Sequence, residues 1–239
     1  MKKILISLCL YGSLVAGVLQ AQNVYDTFIA LNNAYSSNTT AFYCVQLLEE
    51  YSTDGTLLSE TPAVSIISGN KEITRIEQRR QPLYFLSTPH GYWIKNSKLK
   101  SPLKIAGSYK IQEVHMQDLL RIDYENDFAM KEDESDNESI MLQRINKKVT
   151  YPYARLQYKD NRYVVEFLDS KKQKTKVLVY ERMTVDGRDC FAKITITDTV
   201  FAPNVFYCFI TTTIREIHVS DALFSHLYMD ELIRVMDTR

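Results

Sequence analysis

Residues 107–128, GSYKIQEVHMQDLLRIDYENDF, read as the one clear helical interruption in a run of β-strands. From Met116 the apolar residues fall at Met116, Leu119, Leu120 and Tyr124, a spacing that places them on one helical face. Glu113, Gln117, Asp118, Arg121 and Asp123 fill the other positions. A lone amphipathic helix among strands needs a sheet face on which to bury its stripe. Two roles stay open for it: a plug at one end of a filled core, or a movable lid over an apolar cavity.

Toward the N-terminus the pattern is of strands. Ala41 to Tyr51 carries aromatic and β-branched residues, and further strands are predicted at 61–68, 71–79, 83–88 and 91–96. Asp54-Gly55, Gly69-Asn70 and His90-Gly91 punctuate them. Short hairpins in series make an antiparallel meander. Before them, Asn23 with Asp26 makes an N-cap pattern, and Val24, Phe28, Leu31 and Tyr35 form a helical stripe that ends in Ser36 to Thr40.

Toward the C-terminus, residues 131–139 form an acidic run without the glycine and spaced ligands of a calcium loop, so the expectation is a solvated loop and no metal site. Strands follow at 162–168, 174–184, 189–199 and 205–219. In the first, Tyr163, Val165 and Phe167 share a face; in the third, Cys190, Ala192, Ile194 and Ile196 alternate with polar residues. Lys171 to Lys174 reads as a solvated tip, and Ser220-Asp221 as the start of a closing helix that docks Phe224 and Leu227. With no repeat and no linker composition, the sum is one α+β, mainly β, domain.

The first 21 residues are expected to be a cleaved signal peptide. Lys2 and Lys3 precede an apolar stretch from Ile4 to Leu19, interrupted by Gly12, Ser13 and Gly17, and Leu19-Gln20-Ala21 ends on a small residue. The mature chain is then a single domain over 22–239. Without Lys2 and Lys3, 27 of the 29 basic residues remain against 29 acidic ones, a net charge near −2. That balance gives no electrostatic footprint for nucleic acid and no polybasic anchor for anionic lipid. Cys44, Cys190 and Cys208 survive maturation, so the options are one bridge plus a free thiol or three free thiols. Cys190 and Cys208, on strands separated by a turn, are the pair better placed to bridge.

Catalysis finds little support in the sequence. His90, His115, His218 and His226 are scattered, and no G-x-S-x-G, P-loop, H-E-x-x-H or Rossmann pattern occurs. The expectation is a non-enzyme without cofactor, with His115 as a surface or cap residue.

The order of elements resembles the LolA-like family of outer-membrane lipoprotein-sorting proteins, related in fold to LolB. Asp26 to Leu31 followed by Ala41 to Gln46 looks like that family's opening helix and first strand, and Tyr92-Trp93-Ile94-Lys95 like its tryptophan strand. Gly107-Ser108 with Met116 to Leu120 and Asp123-Tyr124 is similar to its helical segment. Val149 to Pro152, Arg162 to Phe167, Phe224 to Leu227 and Glu231-Leu232 extend the likeness over most of the chain. The resemblance implies a single, strongly curved antiparallel sheet, an unclosed barrel with helices plugging or lidding its concave side. It also implies a periplasmic carrier of lipid or lipoprotein acyl chains, loaded by an inner-membrane transporter and emptied to an outer-membrane acceptor. An arginine latch for the lid is implied as well; Arg75, Arg79 and Arg80 compete for it, and Gln81 separates Arg80 from Pro82.

Such a carrier must hide hydrocarbon worth roughly 0.8 kcal/mol per methylene. Alternate residues of a half-open sheet can supply the lining, and the candidates are Tyr43, Val45, Ile66, Phe85, Trp93, Tyr163, Val165 and Ile194, with Met116, Leu119 and Leu120 on the lid. The same residues also describe a filled core. The alternative function is a non-catalytic periplasmic binding or sensor module, such as an accessory of a lipid-exporting transporter.

Overall fold

The computed structural model describes residues 21–37, 39–78, 81–111, 114–120, 122–135 and 139–239. Of the expected leader over 1–21, residues 1–20 lie outside the described residues, as do the latch candidates Arg79 and Arg80, while Ala21 is buried at the start of the first helix. Helix α1 covers 21–32. It buries Phe28, Leu31 and, just past its end, Tyr35, the stripe expected from the sequence. Asn23 is not its cap. The helix already runs through it, and Thr27 Oγ1 donates to the Asn23 carbonyl at 2.8 Å.

The first meander comprises β1 (Ala41–Ser52), β2 (Leu57–Ser68), β3 (Lys71–Gln78), β4 (Gln81–Thr88), β5 (Gly91–Lys95) and the short β6 (Leu103–Ile105). The insert follows as a two-strand hairpin, β7 (Lys110–Ile111) and β8 (Val114–His115), then two one-turn helices, α2 (Met116–Leu119) and α3 (Tyr124–Asp127). The second meander is β9 (Phe128–Met130), β10 (Ser139–Arg144), β11 (Tyr153–Lys159), β12 (Arg162–Leu168), β13 (Lys174–Val185), β14 (Arg188–Asp198) and β15 (Val205–Ile217). Two 3₁₀ turns and helix α4 (Met229–Asp237) close the chain.

All the strands except β7 and β8 form one 13-stranded sheet in the order β6-β5-β4-β3-β2-β1-β15-β14-β13-β12-β11-β10-β9. Each adjacent pair is antiparallel, and β1 pairs with β15 from Ala41–Ile217 to Ser52–Val205. The edges β6 and β9 do not pair, so the sheet stays open. It nevertheless curls around its inner face. Lys148, between β10 and β11, donates to Ser87 Oγ of β4 at 3.0 Å and lies 4.9 Å over the Tyr92 ring of β5. Groups so far apart in the strand order meet only if the sheet wraps. The fold is therefore mainly β, one curved antiparallel sheet with an unclosed seam.

Two details depart from the sequence pattern. Opposite Glu181 and Arg182 the register of β14 slips by one residue, a bulge that breaks strict alternation, so Cys190, Phe191 and Ala192 are all buried. At the C-terminus Leu227 is 74% exposed, because the 3₁₀ turn capped by Ser225 turns it outward. Helix α4 instead docks Met229, Leu232 and Met236, spaced for one helical face, beside Phe224.

Candidate functional site

The sheet separates two apolar layers, and the eight residues singled out for one lining divide between them. Phe85, Tyr163 and Val165 belong to the inner cluster, and Ile194 packs against it. Ile66 and Trp93 belong to the outer cluster beneath α4, with Tyr43 packed on it. Val45, two residues on from Tyr43 and paired with Val64 of that layer, takes the same outer side. The expectation of a shared lining is corrected for these four. Helix α4 covers the outer side, and a covered sheet is apolar on both faces, which removes the contrast that tells inside from outside.

The outer layer is a docking site for the protein's own C-terminus. Trp93 stacks on His226 with ring centres 5.2 Å apart, and Lys95 Nζ reaches Asp230 at 2.6 Å. Arg75 contacts Asp237 at 3.0 Å and Glu77 at 3.1 Å, so it holds α4 and not the insert.

The inner layer is covered by α1 and the insert. The 107–128 segment is not one helix: α2 ends after one turn, with Leu120 in extended backbone, and Asp123 caps α3 by accepting from the Asn126 amide. Leu120, Ile122 and Tyr124 are all buried, every second residue, and no helix can turn all three inward. Met116 is also buried; the Leu119 side chain lies outside the described residues. The insert crosses the open seam and is stitched to both sides of it. Gln117 Nε2 donates to Thr150 Oγ1 at 2.6 Å and its Oε1 accepts from the Thr150 amide at 3.0 Å. Gly107 is tightly enclosed, since a Cβ there would sit 3.1 Å from the Tyr92 ring and 3.2 Å from the Lys148 carbonyl, closer than ordinary contact.

Aromatic rings fill much of the interior. Phe28 of α1 lies 5.0 Å from Tyr124, 5.4 Å from Tyr180 and 5.3 Å from Phe191, and Tyr151 stacks on Phe167 at 4.2 Å. The hydroxyls of Tyr124 and Tyr180 are hydrogen-bonded at 2.7 Å. One opening lies between α1, the insert and the sheet, bordered by Asn32, Gln46, Glu72, Asp118, Ile122 and Phe209 among others, with about 450 Å³ of free space including its mouth. Its enclosed part offers about 20 Å³ to the centre of a water molecule, room for about one water.

A charged cluster sits inside this apolar layer. Lys176 of β13 is 1% exposed and contacts both Asp118 of α2 and, at 3.3 Å, Asp198 at the end of β14. Tyr151 donates to Asp118 at 3.0 Å, and His115 Nδ1 lies 4.0 Å from the same carboxylate. Burial pushes the Asp118 carboxyl up, against the pull of Lys176. Burial and the Lys176 charge both push the His115 imidazole down. Burial alone would raise Asp198, but the Phe201 amide, Lys176 and the Val200 amide hold it below the usual carboxylate range. His115 stands at the N-cap position of α2, one of the two places expected for it, and there it is a mostly buried neighbour of the cluster. The signal for Lys176 was present in the sequence: it stands two residues before Leu178 and four before Tyr180, at an inward position of an alternating strand.

Other candidates resolve simply. Cys44, Cys190 and Cys208 are unbridged and buried, and burial raises the Cys190 thiol to about 11. Cys190 and Cys208 do lie on adjacent strands, β14 and β15, but the register sets Cys208 opposite Thr195, so the two thiols are not cross-strand neighbours. In the acidic run, Glu134 is held by Lys131 and Lys172, which lower it to about 2. Among the described residues no group of three or more His, Cys, Asp and Glu is placed to hold a metal ion.

An open, curved antiparallel sheet with its inner face covered by one helix and a seam-crossing insert defines the structural class. The fold is LolA-like. It is similar to a LolA superfamily protein from Nitrosomonas europaea, at TM-score 0.65 and 16% identity over 86% of this chain and 97% of that one. It is also similar to a domain named for outer membrane lipoprotein sorting from Vibrio parahaemolyticus, at TM-score 0.58 and 14% identity over 89% and 97%. A DUF1329 family protein from Desulfovibrio piger matches at TM-score 0.58 and 14% identity over 86% and 97%. No family model matches the sequence, and no curated protein matches it.

Proposed function

We propose that the chain is a periplasmic carrier that takes acyl chains of a lipid or lipoprotein onto the inner face of its sheet and delivers them toward the outer membrane. The observation that carries this reading is how the inner face is covered. Its filling comes from α1 and the insert, and the insert is held by a polar cluster and a hydroxyl pair set into an apolar layer. A buried ion pair is weak at adding stability and well suited to a contact with two states. Displacing the two coverings would free the positions of Phe28, Met116, Leu120 and Tyr124 for a chain of about 15 methylenes, worth up to about 12 kcal/mol gross. The leader-like residues 1–21 and the neighbour named for lipoprotein sorting support the location and the cargo. The reading is non-catalytic and uses no cofactor; an inner-membrane transporter as donor and an outer-membrane acceptor fit it.

The test is extraction of the purified protein followed by mass spectrometry of the lipid fraction, with a photo-reactive residue at Met116 or Leu120 in parallel. Bound acyl lipid and acyl adducts are expected. Absence of both overturns the carrier. A second reading, a binding or sensor module that docks a partner's loop, is favoured by how little enclosed room the opening beside Gln46 and Ile122 holds; adducts to protein alone would select it.

A further inference from the structure

The connection from β14 to β15, residues 199–204, holds apolar side chains out in water. Phe201 is 65% exposed and Val200 52% exposed. Their backbone is fixed: Asp198 Oδ1 accepts from the Val200 amide at 3.0 Å and from the Phe201 amide at 2.8 Å, and Ala202 just beyond is buried. Leu57 and Leu58, also exposed, begin β2 on the same rim of the sheet, because Ser52 across their turn pairs with Val205.

Lysines surround this tip. Lys110 Nζ of the insert hairpin lies 5.0 Å over the Phe201 ring. The β12–β13 turn, with Lys171, Lys172 and Lys174, stands alongside, since the Thr199 amide donates to the Thr175 carbonyl at 3.1 Å. Lys172 and Lys174 also reach Glu134 and Glu166, and Asp54 and Asp169 stand on the neighbouring turns. The rim therefore carries little net charge, and apolar contact dominates whatever it binds. Exposed apolar side chains rimmed by polar groups mark an interaction site. An aromatic ring and aliphatic side chains beside lysines are the makeup of an interfacial anchor. A projecting tip suits a soft surface, whereas a protein partner would have to bring a pocket.

The same loop is tied to the insert. Its cap, Asp198, contacts Lys176, and Lys176 also holds Asp118 of α2. The Phe201 ring lies 6.3 Å from that of His115, the residue before α2. A pull on the loop thus reaches the fastening of the cover through one side chain.

Resting on the carrier reading for where the cover has to open, we infer that Val200 and Phe201 seat in the headgroup region of a lipid bilayer, and that this contact loosens the insert through Asp198 and Lys176. Arrival at a membrane and uncovering of the inner face are then one event.

The experiment uses protein made without residues 1–21 and vesicles of phosphatidylethanolamine and phosphatidylglycerol. Phe201→Trp puts a reporter on the tip, and the wild type, whose sole tryptophan is Trp93 under the C-terminal segment, is the blank. Vesicles should shift the variant's emission to the blue, and brominated acyl chains should quench it, with neither change in the wild type. Val200→Ser with Phe201→Ser should weaken binding in flotation about tenfold or more. Leaving out phosphatidylglycerol should weaken it only a few-fold. Vesicles should also speed amide exchange at residues 107–128 of the wild type, and should not do so in the serine pair.

A tip tryptophan that stays unquenched overturns the inference, and so does vesicle binding with unchanged exchange in the insert. Photo-crosslinks from position 201 to protein, without a vesicle response, assign the tip to a protein partner and overturn it equally. Lipid extraction separates this from the carrier reading: acyl lipid recovered from a protein that ignores vesicles leaves the carrier standing without the tip. Because quenching is a gain of signal in a folded variant, misfolding of the serine pair does not remove the test.

Discussion

The hydroxyl oxygens of Tyr124 and Tyr180 lie 2.7 Å apart with both rings shut away from solvent, one on the insert and one on β13. This contact fastens the cover to the wall with a single neutral hydrogen bond. Removing either hydroxyl leaves its partner buried and alone. Tyr124→Phe should cost about 1–3 kcal/mol in urea denaturation. The double variant with Tyr180→Phe should cost less than the two single changes together, because the second removal deletes an already orphaned group.

Lys176 is the heavier fastening. Lys176→Met strands the carboxylates of Asp118 and Asp198 in the interior, where the loss of one partner costs on the order of 3–5 kcal/mol. Adding Asp118→Asn should recover part of it. Amide hydrogen exchange of the variant should rise first at residues 107–128, ahead of β13 and β14; uniform acceleration through the sheet would mean the cluster holds the core and not the cover.

His115 gives the cluster a pH dependence of known sign. Burial and Lys176 lower its pKa in the folded state, so between that value and the unfolded one, near about 6.5, the unfolded chain binds more protons. This contribution to stability is complete above the unfolded value and is lost as pH falls through the folded one. Denaturant midpoints of the wild type and His115→Asn, measured from about pH 7 to pH 5, should converge in slope only if the imidazole carries no such shift.

Trp93 is the sole tryptophan, and it stacks on His226 under the C-terminal segment. Its emission should therefore ignore ligands on the inner face and respond to α4. Leu232→Ala empties a fully buried site and should cost about 2–5 kcal/mol, with a red shift of Trp93. Ligand-induced quenching of Trp93 in the wild type would contradict this division of the two faces.

The thiols offer a further check on the interior. Protein made without residues 1–21 should react slowly with a thiol reagent at Cys44, Cys190 and Cys208 while native, and should show three thiols per chain once denatured.

Most strand positions were legible because short hairpins advertise themselves. Asp54-Gly55, Gly69-Asn70, His90-Gly91 and Asp186-Gly187 each mark a turn between observed strands. Two kinds of feature were hidden. Strands β10 and β11 carry weak patterns next to the acidic run, and tertiary pairing defines them. The 107–128 stretch has helical spacing at Met116, Leu119 and Leu120, but Ile122 competes by β spacing with Leu120 and Tyr124, and the seam settled the contest in favour of short turns. The inner lining was half legible. Phe85, Tyr163, Val165 and Ile194 face inward, while Tyr43, Ile66 and Trp93 are apolar for another reason, the docked α4, and Val45 lies on their side of the sheet.

The central position of the β1–β15 pair also governs how the chain reaches its native state. Ala41 finds its partner in Ile217, near the other end of the sequence, and that pair joins the two meanders. Each half can begin its own hairpins, but the joint must wait for nearly the whole polypeptide to be present, and such distant pairing is slow. A slow final zip leaves a newly made chain, for a time, as two unjoined sets of hairpins.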